Sequence, residues 1–315
     1  MLDKLDLALS VGQNIAGNVL VMLFLMIIGY VFAKKGIFTA DGVKQMTELV
    51  LRVVVPCLII NSYQREFDIE MAKGLGLALL FSVVIHIVYI LIATVTFKKR
   101  EDKKDRIKKF GTVYSNCAFM AFPLIHSIYG DDGVFYAVAY VTVFNILYWT
   151  HGVYIYTKDI KQLSLKKIIF NPGVLGVFIG ITLFVTCITL PAPIGKAVSF
   201  MASINTPIPM IILGTYLVNL NIKQTFKNGS LWAVTVLRLI VLPIVTMFAL
   251  KILGWEDIIA MPLILASACP VAAVTTLMAV RYNLDSEYSA QAVSFTTLLS
   301  VITIPVIMIL STIIL

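Results

Sequence analysis

Apolar runs of roughly one bilayer's thickness recur along the whole chain, each closed by a charge cluster, a proline or a glycine turn. A helix needs about 20 mostly apolar residues to cross the hydrocarbon core. Such runs are therefore read as membrane-spanning helices. The 315 residues are 59% hydrophobic and 13% charged, against about a quarter charged in a soluble domain. A soluble enzyme is excluded, and little chain is left for a folded domain outside the membrane.

The runs place spans at approximately 15–33, 43–62, 73–97, 109–129, 133–157, 168–190, 196–220, 229–252, 257–280 and 287–314. Spans two and seven score weakly because they contain Glu48, Arg52 and Pro56, and Pro207 and Pro209, so eight or nine spans stay open. The fold expected is all-α and integral to the membrane. Residues 1–14 hold Asp3, Lys4 and Asp6 rather than the basic flank of a cleavable signal, so the first run is expected to be retained. Cys57, Cys117, Cys187 and Cys269 all fall in apolar runs, where thiols act as small hydrophobes. No C-x-x-C, H-E-x-x-H, Walker or G-x-G-x-x-G pattern occurs. Neither a metal nor a cofactor nor an enzymatic activity is expected.

Basic residues are retained on the cytoplasmic side during insertion. The loops after spans one, three, five, seven and nine carry Lys34, Lys35 and Lys44, the cluster at 98–109, Lys158, Lys161, Lys166 and Lys167, Lys223 and Lys227, and Arg281. The other face holds Lys4, Arg65, Lys73, Lys196 and Lys251. This asymmetry predicts a multi-pass protein of the cytoplasmic membrane with both termini extracytoplasmic. The net charge of +8 is read as orientation, with no nucleic-acid partner. The cluster at 98–109 is read as a topology anchor, with contact to anionic lipid, or to ribosomal RNA during synthesis, as its alternative.

Prolines test for an internal repeat, because they disturb helices wherever they occur. Pro56 and Pro207 are 151 residues apart, and Pro123 and Pro270 are 147 apart. Five spans per half is an odd number, so the second half would enter the membrane in the opposite sense, as an inverted-topology repeat. The expected division is 1–157, a linker at 158–167, and 168–315. Residues 116–123 in span four and 269–276 in span nine put polar and helix-breaking residues near mid-membrane. Breaks survive there where the freed groups line a cavity or meet protein partners. The N-terminal ends of broken halves carry free N–H groups and partial positive charge, which suits a carboxylate. A plain proline kink is the alternative.

On these residues the chain resembles the auxin efflux carrier family of membrane transporters, which includes bacterial malate permease-like proteins. The resemblance runs nearly full length. It is carried by Ile28-Gly29-Tyr30, Lys34-Lys35-Gly36-Ile37, the proline motif at 51–56, and Asn116 followed seven residues on by Pro123. Asn171-Pro172, Thr206-Pro207, Gly214 and Tyr282-Asn283 follow in the family's order. Ala121 stands where relatives commonly carry glycine, and span nine lacks the second proline and the glycine of the plant carriers. The resemblance implies the ten-helix inverted repeat shared with bile-acid symporters, with crossing broken helices in spans four and nine. Spans one, two, six and seven would form a scaffold and spans 3–5 and 8–10 a moving core, with an elevator-like motion and a homodimer formed through the scaffold.

An Arg at mid-helix costs about 2.5–3.5 kcal/mol on insertion scales, so charges inside spans are candidates for function. Arg52 follows Glu48 at i+4, and the pair is read as self-neutralising. Arg238 has no acid three or four positions away and needs a partner elsewhere, either a bound anion or carbonyls of a broken helix. His86, His126 and His151 are read as core histidines, with His126, one turn past Pro123, the best proton carrier. Asn145, Asn205, Thr296 and Thr297 are read as joining helices. The 17 acids lie in loops, termini or span ends, which disfavours a carboxylate-based sodium site.

The function expected is alternating-access transport of a small organic carboxylate, an auxin-like weak acid or malate, by efflux or facilitated movement. Asn116, Pro123, Pro270, Thr275 and Thr276 are the substrate-site candidates, and Arg238 and His126 the candidates for anion or proton coupling. The partners implied are that anion, membrane lipid and, by resemblance, a second copy. A proton-coupled importer and a ligand sensor on the same fold are the alternatives. A lipid-directed enzyme would need a nucleophile–base set the spans lack.

Overall fold

The computed structural model describes residues 2–98, 102–219, 222–255 and 257–315. The described residues are helical throughout, with no strands beyond a single two-residue bridge. Six helical stretches are long and apolar enough to cross a membrane: Gly12–Lys34, Ile69–Thr96, Cys117–Thr157, Ala192–Tyr216, Gly229–Leu253 and Ser286–Ile314. Pro172–Val185 and Asp257–Ala268 are shorter apolar helices. The stretch Cys117–Thr157 is two helical segments, because the chain kinks at Gly130 (φ 59°, ψ −154°), where the boundary between spans four and five is expected. Side chains with no neighbours to cover them are large and apolar, including Phe24, Leu80, Phe178 and Ile252. On a soluble protein such a surface would aggregate; in a bilayer it is the correct solvent face.

Local sequence sets most helix starts. Thr39, Asp68, Asp102 and Asn171 each accept a hydrogen bond from the first turn of the helix that follows, satisfying N–H groups that have no helical acceptor. The cap at Asp102 bears on the basic cluster at 98–109. Expected as a loop, it is largely helix: Lys103–Val113 is continuous, with Asp105, Ile107, Lys109 and Phe110 buried. The Nζ of Lys108 lies 2.7 Å from Asp105, so charges of both signs pair along the turn. Residues 99–101 of the cluster lie outside the described residues.

Prolines act here in two ways. Three π-helical turns, Val50–Val54, Cys117–Ala121 and Leu237–Val241, end two residues before Pro56, Pro123 and Pro243. A proline offers no N–H to the carbonyl four residues back and its ring crowds that carbonyl; one wide turn relieves both, and the helix continues. Pro207 instead opens a new helix, Pro207–Tyr216, after a bend at 204–206, and Pro270 lies in a fully unwound stretch.

Candidate functional site

Two helices stop inside the protein and cross. Lys103–Val113 ends at Tyr114, and Asp257–Ala268 ends at Cys269. Between them the chains run antiparallel for one bridge, Ser115 against Val271. The Asn116 N–H donates to the Pro270 carbonyl at 2.7 Å, and the Ala272 N–H donates to the Tyr114 carbonyl at 3.0 Å. A third backbone donor, the Val271 N–H, reaches the Thr296 hydroxyl at 3.1 Å. These three freed N–H groups thus find partners from another element, which is the condition for an unwound stretch among membrane helices.

Past the bridge both chains become helical again, at Cys117 and at Val274, and neither N-cap residue, Asn116 or Ala273, makes a side-chain cap bond. Two uncapped N-termini therefore meet at one place, each with partial positive charge. A cavity of about 580 Å³ reaches them, its floor formed by Ser115, Asn116, Ala118, Phe119 and Ala272, Ala273 and Val274. That volume suits a small organic ligand. Phe144, Tyr148 and Trp149 wall its middle, with the amides of Asn145 and Asn171. Arg52, Lys166, Lys167 and Arg281 ring its mouth, with Glu48 as the one acid in the lining. Arg52 Nε pairs with Glu48, as the i+4 spacing predicts, and no ion pair ties Lys166, Lys167 or Arg281 to an acid among the described residues. The cavity is positive along its length, from mobile cations at the rim to fixed dipoles at the floor.

The candidates from the sequence separate into groups. Asn116 lies on the floor, 5% exposed, and its side-chain Nδ2 has no hydrogen-bond partner. Pro270 shapes the same floor through its carbonyl. Pro123 is buried in the helix beyond the π turn, seven residues from the break, and does not line the cavity. Thr275 is fully buried with an unpartnered hydroxyl, away from the cavity lining. Thr276 lines a second pocket of about 310 Å³ with Tyr216, Glu287 and Gln291. His126 is exposed, with Nε2 3.4 Å from Asp131 across the kink at Gly130. His86 and His151 are held by the Ser82 carbonyl (2.7 Å) and the Tyr114 hydroxyl (3.0 Å). Thr296 ties its helix to the unwound stretch at Val271 rather than to another helix, and Asn145 lines the cavity. Its nearness to Asn171, the cap of the next helix, arises from packing between distant segments and leaves no local sequence signal.

Helices with an apolar outer surface, built around a polar crossing that an electropositive cavity reaches, define a multi-pass membrane protein. The profile of a family described as "Membrane transport protein" matches residues 14–161 and again residues 156–308. The chain belongs to that family, as the resemblance implied. It is 23% identical over 296 residues to an uncharacterized transporter of Methanothermobacter thermautotrophicus, covering 91% of this chain and 95% of that one. A second uncharacterized transporter, from Methanocaldococcus jannaschii, is 22% identical over 298 residues with the same coverage.

Proposed function

We propose that the protein is a secondary transporter for a small organic anion, with the crossed helix breaks as its substrate site. The observation that carries this reading is the unpartnered amide of Asn116, buried on the floor of a positive cavity between two uncapped helix N-termini. A carboxylate there would accept from the Asn116 amide and the first backbone N–H groups of both helices, while its body packed against Phe119, Phe144 and Tyr148. On the orientation taken from the basic loops, the cavity would open to the cytoplasm, as in an inward-open state of a transporter.

The ten segments are read as two inverted halves that cross at this site. The family profile supports that reading by matching two consecutive stretches of similar length. Movement of the core against the scaffold, in a homodimer, would carry the site to the other face. A monovalent anion leaving a negative interior gains about 2.3 kcal/mol per 100 mV, so efflux needs no partner ion. His126 lies outside the cavity lining and paired with Asp131, so the proton-coupled alternative gains no support from its position.

The test is flux from proteoliposomes with an imposed inside-negative potential and a broad panel of labelled organic acids. Potential-driven movement of at least one acid, lost in Asn116→Ala, is the expected result. No movement of any acid by the wild-type protein defeats the reading.

A further inference from the structure

Arg238 is the largest fully buried side chain in the described protein, at 0% exposure. Its Nη1 donates to the carbonyls of Thr112 (2.9 Å) and Val113 (3.1 Å), and its Nη2 to the carbonyl of Ser267. Those three oxygens belong to the last turns of Lys103–Val113 and Asp257–Ala268, the two helices that stop at the crossing. The guanidinium also lies 5.5 Å from the centre of the Tyr89 ring, whose hydroxyl bonds Thr246. Arg238 reaches inward from a π-helical turn ahead of Pro243. No carboxylate pairs with it among the described residues, and the same residues hold no cluster of His, Cys, Asp or Glu able to bind a metal.

Charge balance explains the arrangement. A lone buried guanidinium is strongly disfavoured by desolvation unless it is compensated. Each helix C-terminus carries about half a negative charge on carbonyls with no helical donor. Two of them meet here, so one guanidinium offsets about one unit of negative dipole charge, and its planar fork reaches both ends at once, as a lysine could not.

We propose that Arg238 is a resident counter-cation: its guanidinium fills the carbonyl cage between the two helix C-termini and holds the crossing together without sodium or any other inorganic cation. The inference rests on the reading of the crossing as an anion site and adds how that site is charged and coupled. Arg238 acts as a positioning residue. It fixes the C-terminal ends on one side of the bridge so that the N-terminal ends on the other side stay together for the substrate, and transport proceeds uncoupled from metal cations.

The test needs no substrate, so its failure would leave the transport reading standing, and a failed flux panel would leave this one standing. The melting temperature of the purified full-length protein in detergent is measured at constant ionic strength in choline, sodium, potassium and lithium chlorides, and with millimolar guanidinium. The wild-type protein is expected to melt at one temperature in all of them. Arg238→Ala is expected to melt lower in choline and to recover with guanidinium in a saturable way, because the free ion re-enters the cage. A saturable rise of wild-type Tm with sodium, potassium or lithium overturns the proposal, as does an Arg238→Ala protein that guanidinium does not rescue. If Arg238→Ala does not fold, the wild-type cation series decides. Once a transported acid is known, its flux is expected to be equal in sodium and choline buffers, and accumulation driven by a sodium gradient would also overturn it.

Discussion

Gly29 and Gly214 interlock. A Cβ on Gly29 would stand 1.9 Å from the carbonyl oxygen of Ile211, and a Cβ on Gly214 would stand 1.9 Å from the carbonyl oxygen of Met26. Each glycine therefore lets the backbone of its own helix touch the backbone of the other, Leu2–Lys34 against Pro207–Tyr216. Lipid gives apolar helices no hydrophobic reason to associate, so close packing through small residues is what holds such a pair. Both positions belong to the stretches that carry the family resemblance, and both gain a physical role from this contact.

Alanine at either position must push the helices apart, because the obstructing atom is backbone. Gly29→Ala and Gly214→Ala are each expected to destabilise by about 1–3 kcal/mol or more, as overpacking does. Gly76→Ala is the control: its Cβ would meet nothing within 4 Å, and alanine favours the helix by about 1 kcal/mol over glycine. Thermal melts in one detergent compare the three. Equal melting of Gly29→Ala and Gly76→Ala would contradict the interlock.

Asn116 separates stability from function. Its Nδ2 has no partner in the protein, so Asn116→Ala removes a desolvated donor and is expected to leave the melting temperature unchanged or raised. If that amide binds a carboxylate, the lost bond to a charged group is worth about 1.5–3 kcal/mol, or roughly 10- to 150-fold in affinity. Asn116→Asp is expected to be worse, since it puts a negative charge where the proposed anion would sit. Flux and melting measured on the same preparations check both halves.

The rim cations make a different prediction. Lys166 and Lys167 stand at the cavity mouth, where on the proposed function they would attract an anion before it reaches the floor. Charge reversal at both is expected to lower the rate of substrate entry at low ionic strength and to matter little in high salt, because exposed charges are screened beyond about 10 Å at 0.1 M. A rate difference that salt does not shrink would show that the lysines act by contact.

The sequence makes the crossing visible and misplaces its cause. Pro123 and Pro270 mark the right two segments, but only Pro270 lies in a break. The π turn Cys117–Ala121 absorbs Pro123, and the first break falls at 114–116, where no proline stands. What unwinds it is pairing with a strand-like piece some 150 residues on, a non-local event that local propensity does not record. Arg238 follows the same pattern. Its need for a partner is plain from the sequence, but the partners are backbone carbonyls, and every residue carries one of those. The helix over the basic cluster was legible in principle, since Asp102 is a good cap and Ile107 and Phe110 lie one turn apart on a buried face. Charge density pointed to a loop instead.

Thr296 and Thr297 are neighbours with opposite expectations. The Thr296 hydroxyl donates to the Ala292 carbonyl at 2.7 Å and accepts from the Val271 N–H at 3.1 Å, so it ties the unwound stretch at the crossing to the helix Ser286–Ile314 by a hydrogen bond. The Thr297 hydroxyl is equally buried and has no partner. Valine matches threonine in shape and removes only the hydroxyl. Thr296→Val leaves a backbone N–H unsatisfied inside the protein and is expected to destabilise by about 1–3 kcal/mol, whereas Thr297→Val removes an unsatisfied group and is expected to be neutral or stabilising. Amide exchange at Val271, read in the same two variants, should quicken in the first alone. If both variants melt together, the Thr296 hydroxyl does not hold the break, and the crossing is kept by its bridge and by Arg238.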